Sequence, residues 1–77
     1  MAISSFFAKL SGTADEVSYS FGEDKECPED TLVFDKTVLT ARPESGRRTF
    51  GFKATAKGIF RRYQQTGEWP QNGYIAS

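Results

Sequence analysis

The chain has 77 residues and a formal net charge of zero, and it contains one cysteine and no histidine. The length suits a single domain spanning residues 1–77, and an aromatic content of 14% supplies a hydrophobic core, which argues against intrinsic disorder. Because it has no histidine and a single cysteine, the sequence lacks the commonest general base, the usual nucleophile pairs and the ligands of a zinc site. We therefore expect neither an enzyme nor a cofactor.

Alternating apolar and polar residues predict two strands near the N-terminus. Residues 3–10 alternate weakly, with Phe6 and Leu10 on the face that we expect to be buried. Residues 17–21 alternate strictly, which is typical of a half-buried strand. A short polar turn separates the two segments, so we expect them to pair as a hairpin.

The middle of the chain combines an acidic loop with a further strand region. Residues 22–30 carry five carboxylates and are punctuated by a glycine and a proline, which predicts a solvated loop. Residues 31–41 are rich in β-branched and aromatic side chains and favour strand, with a tight turn or bulge at Asp35-Lys36. Residues 42–46 are predicted to be a loop because their proline restricts the residue before it.

The C-terminal half is predicted to contain one amphipathic helix, at about residues 52–65. Residues 47–53 also alternate, so a strand followed by a shorter helix is the alternative at its start. Gly67 suits the position just after a helix, and Pro70 prevents continuation. Gly58 within the helix is expected to allow close packing against the sheet. Residues 74–77 are interpreted as a short final strand or a free tail.

These elements together predict an α+β fold, in which an antiparallel sheet of three to four strands packs on the helix, with the short final strand as an optional addition. The residues expected to form the core are Phe6, Leu10, Val17, Tyr19, Phe21, Leu32, Phe34, Phe52, Ile59, Phe60 and Tyr63.

Charge divides the chain into two unlike parts. Residues 1–46 hold nine carboxylates and four cations, whereas residues 47–77 hold six cations and one carboxylate. The two parts either neutralise each other in the fold or leave a charged surface for a partner. The residues of the candidate binding surface are Arg47, Arg48, Lys53, Lys57, Arg61, Arg62 and Trp69.

Three functional hypotheses follow. The leading one is a non-catalytic protein-binding or regulatory module, in which an exposed sheet edge is a further route to a partner strand. The first alternative is a nucleic-acid-binding protein that uses a basic side of the predicted helix, on which Lys53, Lys57 and Arg61 recur every four residues. The second is a calcium-binding module or a carboxylate-based enzyme, although the acidic loop lacks the spacing of an EF-hand.

Trp69 and Cys27 each admit a structural interpretation. Trp69 is expected to fold back over the core, with an exposed anchor for a partner as the alternative.

Cys27 is the single cysteine, so no intrachain disulfide forms, which favours a reducing compartment. No segment has the roughly 20 apolar residues of a membrane span, and the N-terminus lacks a signal-peptide pattern. We therefore expect a cytoplasmic location.

Overall fold

The computed structural model describes residues 4–24 and 26–76 and confirms the α+β class. The elements are β1 (Ser4–Gly12), β2 (Glu16–Gly22), β3 (Asp30–Asp35), β4 (Thr40–Pro43), α1 (Phe50–Thr66) and β5 (Asn72–Ala76). The five strands form one antiparallel sheet in the order β4-β3-β2-β1-β5. The helix α1 joins the two edge strands and packs on one face of the sheet.

The strands largely follow the sequence prediction, with differences at their boundaries. The predicted interruption at Asp35-Lys36 is confirmed, because Asp35 Oδ1 accepts the backbone N–H groups of Thr37 and Val38 and closes a turn there. The strand β4 extends to Pro43, a position that the sequence placed in a loop. The final strand is confirmed, but it begins at Asn72, within the predicted turn.

The prediction that Phe6 and Leu10 face the core is wrong. Phe7 pairs with the buried Phe21 across β1 and β2, so Phe7 faces the core and Phe6 lies on the opposite face of the sheet. Leu10 lies at a register shift and is 57% exposed. Consecutive residues of a strand point to opposite faces, so Phe6 and Phe7 give each face of the sheet an aromatic side chain. The weak alternation therefore could not decide which face is buried.

The buried side chain of Ser5 also fixes the orientation of β1. Its hydroxyl lies 2.6 Å from the Thr55 hydroxyl, which donates in turn to the Gly51 carbonyl of α1. Thr55 has one proton to give, so Ser5 donates to Thr55. This chain of hydrogen bonds satisfies two polar groups that would otherwise be costly inside the core.

The core lies between the sheet and α1, largely as the sequence predicts. Its buried hydrophobic residues are Phe7, Val17, Tyr19, Phe21, Leu32, Phe34, Phe52 and Ile59. Phe60 and Tyr63 are half-buried at its margin. Thr49 caps the N-terminus of α1 by accepting the N–H of Phe52, and Gly67 ends the helix at a φ of 78°, which favours glycine.

Candidate functional site

Three of the predicted basic residues form a continuous exposed stripe on α1. Lys53, Lys57 and Arg61 recur every four residues, and all three are exposed. The buried residues Phe52 and Ile59 direct another side of the helix to the sheet, which leaves this side in solvent. We call Lys53, Lys57 and Arg61 the basic helix face.

Arg47 lies beside a carboxylate in the loop before α1. Partial burial acts to raise the pKa of Asp30, but hydrogen bonds from Ser45 and Thr31 and the charge of Arg47 outweigh it and hold the pKa below its usual value. Ser45 Oγ donates to Asp30 Oδ2, and the Arg47 N–H donates to Ser45 Oγ. Arg47 therefore helps to hold this loop against β3, and its charge is partly balanced.

Arg48 and Arg62 contact aromatic rings of the core. The guanidinium of Arg48 lies 5.9 Å from the ring centre of Phe52. Arg62 is half-buried; its guanidinium lies 5.2 Å from the ring centre of Phe7, and it donates to the Tyr74 carbonyl at 2.8 Å. Arg62 is thus part of the packing between α1 and β5, on a different side of the helix from the basic helix face.

Trp69 covers the core, which confirms the structural interpretation of this residue. Its ring stacks on Tyr63, with centroids 4.2 Å apart and planes inclined by 14°, and lies 5.1 Å from the ring of Phe34. The segment is held in place because the Tyr19 hydroxyl donates to the Pro70 carbonyl at 2.7 Å. Trp69 contributes first to stability, and its partly buried ring leaves little surface for a partner.

The buried hydroxyl of Tyr19 predicts a loss of stability in alkali. Burial raises its pKa to about 12, whereas an unfolded tyrosine ionises near pH 10. The unfolded chain therefore releases the proton first, so the contribution of Tyr19 is complete below about pH 10 and is lost as the pH rises towards 12. We expect this loss to reach about 2 to 3 kcal/mol, and urea unfolding at several pH values would measure it.

Tyr19→Phe supplies the control for this titration. The variant loses the hydrogen bond to Pro70, so it should be less stable by about 1 kcal/mol at neutral pH. Its stability should fall less steeply between pH 10 and 12, because the group that titrates is gone. Equal alkaline slopes for the two proteins would contradict the role of Tyr19.

The acidic and basic parts of the chain do not neutralise each other through close ion pairs. Within residues 4–24 and 26–76, the ion pair shorter than 4 Å joins Arg42 of β4 to Glu16 of β2, two exposed side chains on the strands that flank β3. The basic helix face has no such partner in that part of the chain. Its three charges therefore remain accessible to an external anion.

Each edge of the sheet has one outward-facing position that is already occupied within the protein. At β4, the N–H of Glu44 donates to β3, so the backbone groups of the preceding residue, Pro43, point outwards. Proline has no N–H to offer, and the Pro43 carbonyl already accepts a hydrogen bond from the N–H of Gly46. At β5, the same alternation turns the Tyr74 carbonyl outwards, and Arg62 occupies it. Pro43 and the Tyr74 carbonyl are therefore not available to a partner strand, and the route through strand addition stays a prediction.

The sequence did not reveal an aromatic pair that lies on the uncovered face of the sheet. Phe6 and Tyr74 place their rings 4.7 Å apart on the sheet face opposite α1, which no element covers in the described chain. Tyr74 is 44% exposed, and Phe50 at the start of α1 is 78% exposed. The polar positions Ser18 and Ser20 did indicate an outward face on β2, but the aromatic pair depends on the β1–β5 register.

The described residues hold no set of three His, Cys, Asp or Glu side chains arranged to bind a metal ion. In the same part of the chain, no helix has the length and apolar character needed to cross a membrane. Comparison with known families, curated proteins and solved structures found no match.

Proposed function

We propose that this protein is a non-catalytic binding module that recognises an acidic surface of a partner protein through the basic helix face. The observation that carries the proposal is the row of three exposed cations, none of which has an ion-pair partner within the described residues. The row rises about 12 Å along α1, since eight residues separate its ends. The protein has a single cysteine, which supports a reducing, cytoplasmic compartment for this binding.

Rigid support favours a binding surface on α1. The helix is capped at both ends, and Phe52 and Ile59 anchor it to the sheet, so its cations are presented without a large loss of backbone entropy. Electrostatic complementarity of this kind accelerates association and selects partners by charge.

An acidic protein surface suits the charge distribution better than nucleic acid does. The carboxylates of residues 22–30 would repel an extended polyanion, whereas a compact acidic patch meets the basic helix face alone. One observation supports nucleic acid as the second candidate. Phe50 is exposed beside Lys53, whose Nζ lies 6.0 Å from the ring centre, and this pair offers a base a stacking surface next to a cation.

Removal of the three charges tests the proposal. A fluorescein-labelled peptide of about 20 residues, rich in glutamate, is titrated with the protein at low and at physiological salt, and fluorescence anisotropy is measured. We expect the triple variant Lys53→Gln, Lys57→Gln, Arg61→Gln to bind about tenfold more weakly, since three surface charge contacts are lost. Binding should weaken as salt screens the charges.

A variant with the same net charge provides the matched control. Thr37→Glu, Thr40→Glu and Gln71→Glu alter three exposed positions outside α1 and change the net charge by the same three units. Its affinity should remain within about twofold of the unaltered protein, since distant charges are screened. If peptide binding weakened equally in both variants, the effect would be due to net charge and not to the basic helix face. Tighter binding of single-stranded DNA than of the peptide would favour the second candidate.

A further inference from the structure

The sheet face opposite α1 contains a groove of about 310 Å³. Its floor is made of small residues, Ala8, Ser20 and Gly22, which lie side by side on β1 and β2. The volume lies at the lower end of the range for small-ligand sites. The groove therefore accommodates one side chain or a short fragment.

The two walls of the groove differ in chemistry. Phe6 and Tyr74 form an aromatic wall, held together because they are directly opposite each other on β1 and β5. The other wall is the β2–β3 loop, which contributes Asp24 and Pro28. This loop crosses Gly22 so closely that a Cβ there would lie 2.7 Å from the backbone nitrogen of Glu29. Gly22 is thus required for the wall to exist.

The acidic wall is poised to accept a hydrogen bond from a ligand. Asp24 Oδ1 accepts the N–H of Glu26, which fixes the carboxylate, whereas Oδ2 accepts no hydrogen bond from the described residues. The loop between Gly22 and Asp30 carries more carboxylates than cations, so its field attracts positive charge. Aromatic rings opposite a carboxylate favour a flat cation, since ring faces attract cations.

We propose that this groove binds an arginine side chain on an exposed segment of a partner protein. The guanidinium is planar, so it stacks on the rings of Phe6 and Tyr74 while its N–H groups donate to Asp24. Charge complementarity with the acidic loop selects a cationic ligand, and the aromatic wall selects arginine among cations. The site lies on the opposite face from the basic helix face and does not depend on the proposed function.

A second copy of this chain is a poorer occupant. Six of its ten cations lie in α1 or in the loop before it, and α1 is on the far side of the sheet from the groove. A contact between the groove of one copy and α1 of the next would be heterologous, so it would repeat from copy to copy and build a ring or a fibre. The partner is therefore expected to be a different protein.

The experiment uses the acetylated and amidated tripeptide Gly-Arg-Gly and the full-length protein labelled with ¹⁵N. Addition of the peptide should shift the backbone amide signals of Ala8, Ser20, Gly22 and Asn72, with a dissociation constant on the order of 1 mM. The same peptide with citrulline in place of arginine keeps the shape but lacks the charge. It should bind at least about fivefold more weakly.

Two variants test the contribution of each wall of the groove separately. Asp24→Asn keeps the acceptor for Glu26 and removes the charge, so arginine-peptide affinity should fall about fivefold. Tyr74→Leu keeps an apolar side chain and removes the ring, with a similar expected loss. Glu68→Gln removes an exposed carboxylate outside the groove and should leave affinity unchanged. Circular dichroism should show that all three variants are folded.

Three outcomes would overturn the proposal. The first is equal binding of the arginine and citrulline peptides, which would remove the role of charge. The second is a set of signal shifts outside the groove, or equal losses in Asp24→Asn and Glu68→Gln. The third is concentration-dependent sedimentation that Asp24→Asn abolishes, which would identify a second copy as the occupant.

Discussion

Replacement of Trp69 by alanine is expected to lower the free energy of unfolding by about 3 kcal/mol. The ring stacks on Tyr63 and also contacts Phe34, so its removal exposes two further aromatic side chains and leaves a gap at the end of α1. The ring is partly buried, which places the cost at the lower end of the range for Trp→Ala changes. Urea unfolding followed by far-ultraviolet circular dichroism measures the change without depending on tryptophan fluorescence.

A milder substitution and a binding assay show which role Trp69 has. Trp69→Phe keeps an aromatic ring on Tyr63 and should cost less than half as much as alanine. Both variants, assayed while folded, should bind the glutamate-rich peptide with the affinity of the unaltered protein, because the basic helix face is intact. Unchanged stability combined with lost peptide binding would instead make Trp69 an exposed anchor.

The helix could be predicted because several independent signals agree on it. Apolar residues repeat with the helical period, Gly67 and Pro70 end it, and Gly58 indicates a close approach. The observed helix begins two residues earlier than predicted, because the side chain of Thr49 caps the first turn. That cap was not used in the prediction, although threonine before an apolar period is a recognised start signal.

The orientation of β1 could not be predicted from its alternation. Phe6 and Phe7 give each face an aromatic residue, so the choice depends on what the facing helix offers. Thr55 offers a hydroxyl to Ser5, and this pairing joins residues 50 positions apart. No local pattern contains such information, which explains the error at Phe6 and Leu10.

The candidate surfaces also include one part that the sequence predicts and other parts that depend on long-range contacts. The spacing of Lys53, Lys57 and Arg61 is local, so the sequence predicted one exposed stripe. The fixed position of Arg62 depends on where β5 lies, and a helical period cannot reveal that. The groove depends on the β1–β5 register and on the loop that crosses Gly22, so its aromatic and acidic walls meet only in the folded chain.

Replacement of Gly58 by alanine is expected to destabilise the protein by about 2 kcal/mol, although alanine is the better helix former by about 1 kcal/mol. Gly58 faces Ile75 of β5, and an added Cβ would overlap the Ile75 side chain. The Cβ would lie 2.8 Å from Cγ1 and 3.3 Å from Cγ2, so the conflict extends beyond the flexible tip. Relief requires β5 to move away from α1, which would strain the Arg62–Tyr74 hydrogen bond.

A double-mutant cycle with Ile75 distinguishes this steric conflict from a general intolerance of substitution. Ile75→Ala alone should be destabilising because it leaves a void, but Gly58→Ala should then cost little or be favourable in that background. Gly51→Ala is the matched control, since its Cβ would meet the carboxylate tip of Glu29 at 3.2 Å and Thr49 Oγ1 at an ordinary contact distance of 3.8 Å, and it should be neutral or stabilising. Equal costs for Gly58→Ala with and without Ile75 would show that close packing against β5 does not require glycine here.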